Sequence, residues 1–184
     1  MGERIQLEGL VFEQLINAED IRNRIAELAS ELNRRHAATC PVLLPVLSGA
    51  FWFSAQLVQL LNIDYRLDFV RVSSYRGGTQ STGEIELVLL PRLEMKGQQV
   101  ILIEDIVDTG LTLDYLIEYL QSSGAQLESA ALFHKPNAHK GEHQPDWVGF
   151  EIGDTFVVGC GLDYQERGRG LNALYQSQPG KASG

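Results

Sequence analysis

The sequence has few cysteines, a deficit of cationic residues and no long hydrophobic run. Its only cysteines, Cys40 and Cys160, lie far apart and outside any CxxC pair, so neither a disulfide framework nor a zinc knuckle is indicated. We expect two buried thiols in a reducing compartment. The N-terminal stretch lacks the apolar segment of a signal peptide, and no apolar run approaches the roughly 20 residues that span a bilayer. These absences predict a cytoplasmic protein without a membrane partner.

The shortage of cations restricts the class of binding partner. The chain has 15 Lys and Arg against 24 Asp and Glu residues, a formal net charge of −9. Because such a field repels polyanions, we predict no nucleic-acid partner. Its 184 residues, 44% of them hydrophobic, match one ordinary globular domain, which would bury roughly 70% of its unfolded surface. We therefore predict a single domain over residues 1–184.

Helix and strand patterns alternate along the chain. Asn17, with an acid three residues later, is typical of a helix start, and apolar residues at helical spacing continue to about His36. Further helices are predicted over 51–61 and from about Leu113, with Gly124 just after the helix end. Short runs predict strands at 41–47, 66–73, 83–90, 100–104 and 127–133, and a terminal hairpin of 146–153 and 155–162. The alternation predicts an α/β fold, a mostly parallel sheet flanked by helices.

Two strand ends would meet at the carboxyl edge of this sheet, where ligands bind in such folds. One is residues 47–50, and the other is the end of VILIEDIVDTGLTL, residues 100–113. The Thr-Gly-Leu-Thr segment begins a helix, whose exposed amides and dipole favour an anion. Alternatively, Asp108 and Thr109 would merely cap that helix.

The adjacent acids Glu104 and Asp105 are not needed by a helix cap. Carboxylates that follow a buried strand can accept hydrogen bonds from sugar hydroxyls or approach Mg²⁺ through water. A ligand with a phosphate at one end, two hydroxyls in the middle and a magnesium pyrophosphate at the other would match the whole stretch.

Several stretches resemble one known family. ILIEDIVDTGLTL (101–113) resembles the phosphoribosyl pyrophosphate motif of the type I phosphoribosyltransferases, with its acids, threonines and glycine at the same spacing. Three further stretches resemble the pyrophosphate loop, the mobile lid and the purine-recognition end of hypoxanthine–guanine phosphoribosyltransferases. They are LSGAFWF (47–53), SSYRGGTQSTGEIEL (73–87), and Lys135 with DWVGFEIGDTFVVGCGLDYQERGRGLN (146–172). The resemblance extends from about residue 20 to about residue 172.

The resemblance implies the type I phosphoribosyltransferase fold, with a small hood formed by the N-terminal segment and the residues after about 135. It implies that Glu104 and Asp105 bind the ribose hydroxyls and that Asp108 is the catalytic general acid/base at purine N7. Backbone amides of the phosphate loop, with both threonine hydroxyls, would hold the 5′-phosphate. The phosphate loop comprises Asp108, Thr109, Gly110, Leu111 and Thr112.

The resemblance also implies how the base and the pyrophosphate are bound. Lys135 would bind the purine 6-oxo group, Phe156 would stack on the base, and Val157 would offer backbone groups to the base edge. The pyrophosphate would meet Ser48 and Gly49, the lid residues Ser74 and Tyr75, and Arg169. Mg²⁺ would be approached by Glu104, Asp105 and Asp163.

Each assignment has a simpler structural alternative. Phe156 and Val157 lie in a strand-like run and would otherwise pack in the core. Lys135 would otherwise be a solvated loop residue, Arg167 and Arg169 a solvated turn, and the lid a plain exposed hairpin. Zinc is disfavoured, because the histidines of this region fit no strong zinc pattern. They are His134, His139 and His143.

One residue departs from the family pattern. Members commonly have a lysine after the leucine of the pyrophosphate loop, and this chain has Ser48. The change removes a positive charge near the pyrophosphate, which the amides of Gly49 and Ala50 and the following helix N-terminus would partly replace.

We therefore predict a Mg²⁺-dependent hypoxanthine phosphoribosyltransferase of purine salvage, assembled as a homodimer or homotetramer. It would transfer 5-phosphoribosyl from phosphoribosyl pyrophosphate to N9 of hypoxanthine, giving IMP, or of guanine, giving GMP, and release pyrophosphate. Two alternatives stay open: a xanthine-preferring sister transferase and a non-catalytic regulator that binds phosphoribosyl pyrophosphate and nucleic acid. The net charge of −9 and the presence of Asp108 disfavour the regulator.

Overall fold

The fold is built around two β-sheets. The computed structural model describes residues 3–74 and 85–177. In chain order its elements are β1 (Arg4–Leu7), β2 (Leu10–Ile16), α1 (Ala18–Arg35), β3 (Val42–Leu47), α2 (Phe51–Val58), β4 (Arg66–Leu67), β5 (Val70–Ser74), β6 (Ile85–Leu89), β7 (Gln99–Val107), α3 (Leu111–Ser122), β8 (Gln126–His134), β9 (Trp147–Glu151), β10 (Val157–Val158) and β11 (Leu174–Ser177).

The larger sheet has the strand order β6-β5-β3-β7-β8-β9, and β4 also pairs with β3. Every pairing is parallel except that of β5 with β6. The predicted mostly parallel sheet is therefore confirmed. Because β3 and β7 are neighbours, with Leu44 opposite Leu102, the loops that follow them emerge side by side at one edge.

Helices cover both faces of the larger sheet. On one face, Ile25 of α1 and Phe53 of α2 pack in the same core as Ile101 of β7. On the other face, Leu116 of α3 packs in the same core as Leu102. Alternate residues of β7 thus enter different cores, which explains its uninterrupted apolar sequence. None of the described helices combines the length and the apolar character that crossing a membrane requires.

The predicted helix ends are confirmed at both α1 and α3. Oδ1 of Asn17 accepts hydrogen bonds from the amides of Glu19 and Asp20, each at 2.9 Å. Nδ2 of Asn17 also donates to the Asp20 carboxylate at 2.7 Å, which holds the capping side chain in place. At the end of α3, Gly124 adopts the left-handed conformation, with φ +83°, that commonly terminates a helix.

The predicted terminal hairpin of 146–153 and 155–162 is wrong. β9 extends the larger sheet, parallel to β8, whereas β10 pairs antiparallel with β11. Both runs are short and apolar, so their sequences do not distinguish one strand partner from another. β9 pairs with β8, and β10 pairs with β11, which is distant in sequence. These partners become available only in the folded chain.

Three smaller predictions also need correction. The strand predicted over 66–73 is interrupted at Asp68, whose buried carboxylate accepts backbone amides at 2.6 and 2.7 Å from a later loop. Helix α2 ends at Val58, before the predicted residue 61. Cys160 is buried as expected, but Cys40 is exposed, because it lies in the loop between α1 and β3.

The smaller sheet joins the two ends of the described chain. Its order is β1-β2-β11-β10, with antiparallel pairing throughout. Phe12, Val158 and Tyr175 form part of its buried cluster. The loop after β10 meets the larger sheet at its carboxyl edge, where a Cβ on Gly161 would collide with the carbonyl oxygen of Gly49. The smaller sheet therefore lies beside the edge at which β3 and β7 end.

Candidate active site

The phosphate loop connects β7 to α3 through a glycine. Gly110 is the N-cap of α3 and has φ +82°, a conformation that glycine adopts without strain. No side chain of the described residues caps this helix, so the interpretation of Asp108 and Thr109 as simple caps is wrong. The first amides of α3 are left for a ligand. They border a cavity of about 100 Å³ that is lined by Glu104, Ile106, Val107, Asp108, Thr109, Gly110, Thr112 and Leu113.

The adjacent acids are buried at the end of the same strand. Glu104 is 5% exposed and Asp105 is 9% exposed. Within the described part of the chain, Oε1 of Glu104 has no hydrogen-bond partner. Burial, and then the charge of Asp105, raise the pKa of Glu104 well above its usual range. A buried carboxyl group that lacks donors would gain from hydroxyl groups or a cation.

Asp105 lies against the loop that follows β3. A Cβ on Gly49 would collide with the Asp105 carboxylate, so only glycine allows this approach. The peptide bond between Leu47 and Ser48 is cis, and Ser48 itself is exposed. The fold thus brings the two predicted sites, at the ends of β3 and β7, into direct contact.

Arg169 and Asp163 add opposite charges beside Asp105. Arg169 donates to the Asp163 carboxylate at 2.6 Å and to a backbone carbonyl at 2.8 Å. Burial raises the pKa of Asp105 to about 6, against backbone hydrogen bonds and the Arg169 guanidinium, which lower it, and with a further rise from Asp163. The solvated-turn interpretation is therefore wrong for Arg169. Arg167 is largely exposed and pairs with Glu8 at 2.7 Å.

Lys135 and Asp108 form an ion pair at the ends of β8 and β7. Nζ of Lys135 lies 2.7 Å from Oδ2 of Asp108, and the amide of Lys135 donates to the carbonyl of Val107 at 2.9 Å. Lys135 is 5% exposed, so the solvated-loop interpretation is wrong. The Asp108 side chain is 46% exposed, which leaves it accessible to a ligand.

Phe156 and Val157 separate in the structure. Phe156 is 47% exposed, whereas Val157 is buried, so core packing is the wrong interpretation for the phenylalanine alone. The Phe156 ring lies 6.3 Å from that of Phe12 and 5.8 Å, edge-on, from that of Tyr164. Phe156 directly precedes β10 of the smaller sheet and presents an aromatic surface there. Tyr75 and the side chain of Ser74 lie outside the described residues.

Known proteins establish the family. The model of the phosphoribosyl transferase domain family matches residues 12–165. The hypoxanthine-guanine phosphoribosyltransferase of Bacillus subtilis is 40% identical over 158 residues, 85% of this chain and 88% of that protein. That of Lactococcus lactis subsp. lactis is 39% identical over 165 residues, 90% of each protein. The chain belongs to the hypoxanthine-guanine phosphoribosyltransferase family.

Solved structures in this family share the fold. The hypoxanthine phosphoribosyltransferase of Staphylococcus aureus superposes with a TM-score of 0.85 at 38% identity, over 91% of each chain. That of Trypanosoma cruzi, solved in complex with the product IMP, has a TM-score of 0.84 at 33% identity and covers 95% of this chain and 98% of that one. The predicted type I phosphoribosyltransferase fold is confirmed.

The sequence interpretation missed a loop that contacts the phosphate loop. We call residues 138–143, which follow Lys135, the clasp loop. Its amides at Lys140 and Gly141 donate to the carbonyl of Thr109 at 2.9 and 3.1 Å. Asp114 in the first turn of α3 accepts two further amides from the same loop, at 2.8 and 2.9 Å. The sequence signal for this loop was the group of histidines close to Lys135. Their spacing does not match a zinc site, but it could have indicated a contact with the phosphate loop.

Proposed function

We propose that this chain transfers the 5-phosphoribosyl group from phosphoribosyl pyrophosphate to N9 of hypoxanthine, giving IMP and pyrophosphate, with guanine as a further acceptor. The observation that carries this proposal is that one cavity at the end of β7 joins two features. There, the buried Glu104 and the uncapped N-terminus of α3 line the same space. A ribose diol and a 5′-phosphate on one molecule match these two features.

The donor is held by groups whose directions are set by the backbone. Amides from Asp108 to Thr112, with the hydroxyls of Thr109 and Thr112, bind the 5′-phosphate at the positive end of α3. Glu104 and Asp105 accept hydrogen bonds from the ribose hydroxyls. The ribose hydroxyls would supply a donor to Oε1 of Glu104, which has no partner among the described residues, so binding would offset part of the cost of burying this carboxyl group.

Asp108 and Lys135 act on the base. Lys135 donates to the purine 6-oxo group, and Asp108 accepts the N7 proton as N9 attacks C1′ of the donor. The N9–C1′ bond forms, and the bond from C1′ to the pyrophosphate oxygen breaks with its electron pair on pyrophosphate. N7 and the 6-oxo group are neighbours on one purine edge, and the 2.7 Å contact between Asp108 and Lys135 supports this division. Phe156 stacks on the base, and Val157 offers backbone groups to its edge.

Arg169 offsets part of the negative charge of the leaving pyrophosphate, and bound Mg²⁺ would offset more of it. Among residues 3–74 and 85–177, no three His, Cys, Asp or Glu side chains converge as a metal cage. Proteins commonly hold Mg²⁺ through one or two carboxylates, substrate phosphates and water. The partnerless Oε1 of the buried Glu104 fits such a site. Asp105 or Asp163 would approach the ion directly or through water, and bound Mg²⁺ would supply charge stabilisation for pyrophosphate. Ser48 and Gly49 contact the pyrophosphate, which Ser74 and Tyr75 cover.

We also propose that the protein forms a homodimer or homotetramer. Its proposed location is the cytoplasm. Several large apolar side chains are exposed on or beside β4, β5 and β6, which form one side of the larger sheet: Leu67, Phe69, Val88, Leu89 and Leu90. Exposed apolar clusters of this kind commonly mark protein interfaces. The exposed free thiol of Cys40 agrees with a reducing compartment.

The test is base-by-base kinetics with phosphoribosyl pyrophosphate and Mg²⁺. Nucleotide and pyrophosphate should form in equal amounts from hypoxanthine, and EDTA should stop both. Adenine presents an amino group to Lys135, donor against donor, so we expect kcat/KM lower by about 10⁴-fold or more. Comparable efficiency with adenine would contradict the role of Lys135. A higher kcat/KM for xanthine than for hypoxanthine would instead identify the xanthine-preferring sister enzyme.

A further inference from the structure

The clasp loop carries a histidine that touches the phosphate loop. His139 lies so close to Gly110 that a Cβ on the glycine would be 2.6 Å from Cε1 and 2.7 Å from Nε2 of the imidazole. Nε2 of His139 is buried and has no hydrogen-bond partner among the described residues. The His139 imidazole thus packs against Gly110, the one residue of the phosphate loop that has no side chain.

A second histidine sets the orientation of this ring. Nε2 of His134 lies 3.2 Å from Nδ1 of His139, and the two rings meet edge to face with their centroids 5.2 Å apart. Burial, and then the neighbouring His139, lower the pKa of His134, against a smaller rise from Glu151. The surroundings of His134 therefore favour its neutral form. A single hydrogen bond joins it to His139.

The clasp loop also sets the direction of a peptide plane in the phosphate loop. The carbonyl of Thr109 accepts both the Lys140 and the Gly141 amides and so points toward the clasp loop. In a trans peptide the N–H points opposite to the C=O, so the amide of Gly110 is directed away from the clasp loop. Thr109 and Gly110 both line the cavity, so this peptide plane lies at the wall where the 5′-phosphate would bind.

The other end of the clasp loop is fixed to α3. The Asp114 carboxylate accepts the amides of Glu142 and His143 and also contacts Nδ1 of His143 at 2.9 Å. Although burial alone would raise the pKa of Asp114, these hydrogen bonds and the His143 charge lower it. The loop is therefore tied to the helix whose N-terminus it borders, and His139 is held between two fixed points.

We propose that His139, oriented by His134, is a positioning residue that keeps the Gly110 amide directed at the 5′-phosphate of the ligand. This rests on the proposed function only in naming the phosphate as that of a ribose 5-phosphate group. Gly110 has no side chain and lies in the left-handed region, so its own conformation restrains the peptide plane weakly. The imidazole and the two amides of the clasp loop supply that restraint.

The test separates phosphate binding from the rest of the ligand. His139→Ala removes the ring that contacts Gly110. His139→Phe keeps a ring there but no nitrogen. His36→Gln is the matched control, because His36 is a buried histidine that contacts Thr39 rather than the phosphate loop. Each full-length protein would be titrated with IMP and, by competition, with inosine, which lacks only the phosphate.

We expect His139→Ala to weaken IMP by about tenfold to a hundredfold, because small misplacements of a binding group have effects of this size. Inosine affinity and the KM for hypoxanthine should stay within about threefold of the parent. His139→Phe should recover only part of the IMP affinity, because it keeps a ring against Gly110 but loses the hydrogen bond to His134. His36→Gln should leave the ratio of IMP to inosine affinity unchanged, whatever its effect on melting temperature.

Two results would overturn the proposal. One is an unchanged IMP affinity in His139→Ala. The other is an equal loss for IMP and inosine, which would mean a general structural role. If the parent formed no nucleotide from phosphoribosyl pyrophosphate, the proposed function would fail. The role of His139 would then still be tested by the same variants with ribose 5-phosphate against ribose.

Discussion

Two surfaces of the molecule differ in the groups that they offer a ligand. One is the carboxyl edge of the larger sheet, and the other is the exposed rim of the smaller sheet around Phe156. At the edge, Glu104 and Asp105 are buried and lie beside an uncapped helix N-terminus. At the rim, Phe156 is 47% exposed, and its ring contacts those of Phe12 and Tyr164. The edge uses charges and amides whose positions are set by the backbone, whereas the rim uses an aromatic face.

This difference follows from what each part would bind. A donor with a phosphate, a diol and a pyrophosphate needs many directed polar groups, and these must be fixed before it arrives. A purine base is flat and stacks on any aromatic face of suitable exposure. Changes of charge or geometry at the edge should therefore alter donor binding and turnover. Changes of aromatic area at the rim should alter binding of the base.

The largest effect is expected at Asp108, where edge and base meet. Asp108→Asn keeps the shape but cannot accept the N7 proton. Turnover should fall by about 10²–10⁴-fold, as is typical for general acid/base groups, while the dissociation constant of phosphoribosyl pyrophosphate changes little. Steady-state kinetics with donor titration measure both. Asp64→Asn, at an exposed acid that has no role in the site, serves as control for charge loss. Turnover of Asp108→Asn within a few-fold of the parent would rule out this role.

The next effect concerns the buried charge of Asp105 and its dependence on pH. Its folded-state pKa of about 6 is raised above the ordinary value of 3.8, so the fold favours the neutral carboxyl. The stability from this preference is full below about pH 4 and is lost as the pH rises through about 6. At pH 7.5, Asp105→Asn should therefore raise the free energy of unfolding by up to about 3 kcal/mol, while activity falls.

Urea unfolding at pH 7.5 and pH 4 tests this prediction. The gain in the variant should be present at the higher pH and vanish at the lower one. Asp154→Asn is the control, since Asp154 is exposed and its change should alter stability by less than about 0.5 kcal/mol. A variant that is no more stable than the parent at pH 7.5 would contradict the buried-charge account of the edge.

At the rim, Phe156→Ala should act on the base alone. Base–aromatic stacking contributes about 1–3 kcal/mol, so the KM for hypoxanthine should rise by about fivefold to a hundredfold. Donor affinity should not change, and Phe156→Trp should retain function. Val11→Ala, at an exposed position on β2 of the same sheet, is the matched control. Weakened donor binding in Phe156→Ala would erase the distinction between rim and edge.

The smallest effect is expected at Ser48, where the edge lacks a charge. Ser48 is exposed, so a longer side chain has room to extend. Ser48→Lys should tighten phosphoribosyl pyrophosphate by more than a few-fold at low salt, since even part of the about 1.5–3 kcal/mol of a charged hydrogen bond gives that change at this exposed position. The gain should shrink as salt rises. Ser48→Met, similar in length and uncharged, controls for packing. Equal affinities for the parent and Ser48→Lys at low salt would mean that the loop backbone already suffices.

Much of the larger sheet could be predicted from the chain because its signals are local. The Asn17 cap, the apolar run of β7 and the glycine that ends α3 each act within a few residues. The acid–acid and Asp-Thr-Gly-x-Thr spacing of 104–112 was equally readable, since it lies on one strand, one loop and one helix start. Which short apolar strands pair with each other depends on contacts between segments distant in sequence. The predicted hairpin of 146–153 and 155–162, which would pair β9 with β10, was therefore wrong.

The sequence by itself determined which residues carry charge, which end a strand and which begin a helix, because these depend on side-chain chemistry and neighbours along the chain. The tertiary structure alone decided that Gly49 meets Asp105, that Lys135 is buried against Asp108 and that His139 lies under Gly110. These contacts join residues on different elements. Their distances depend on how sheets and loops pack, and no local pattern encodes them.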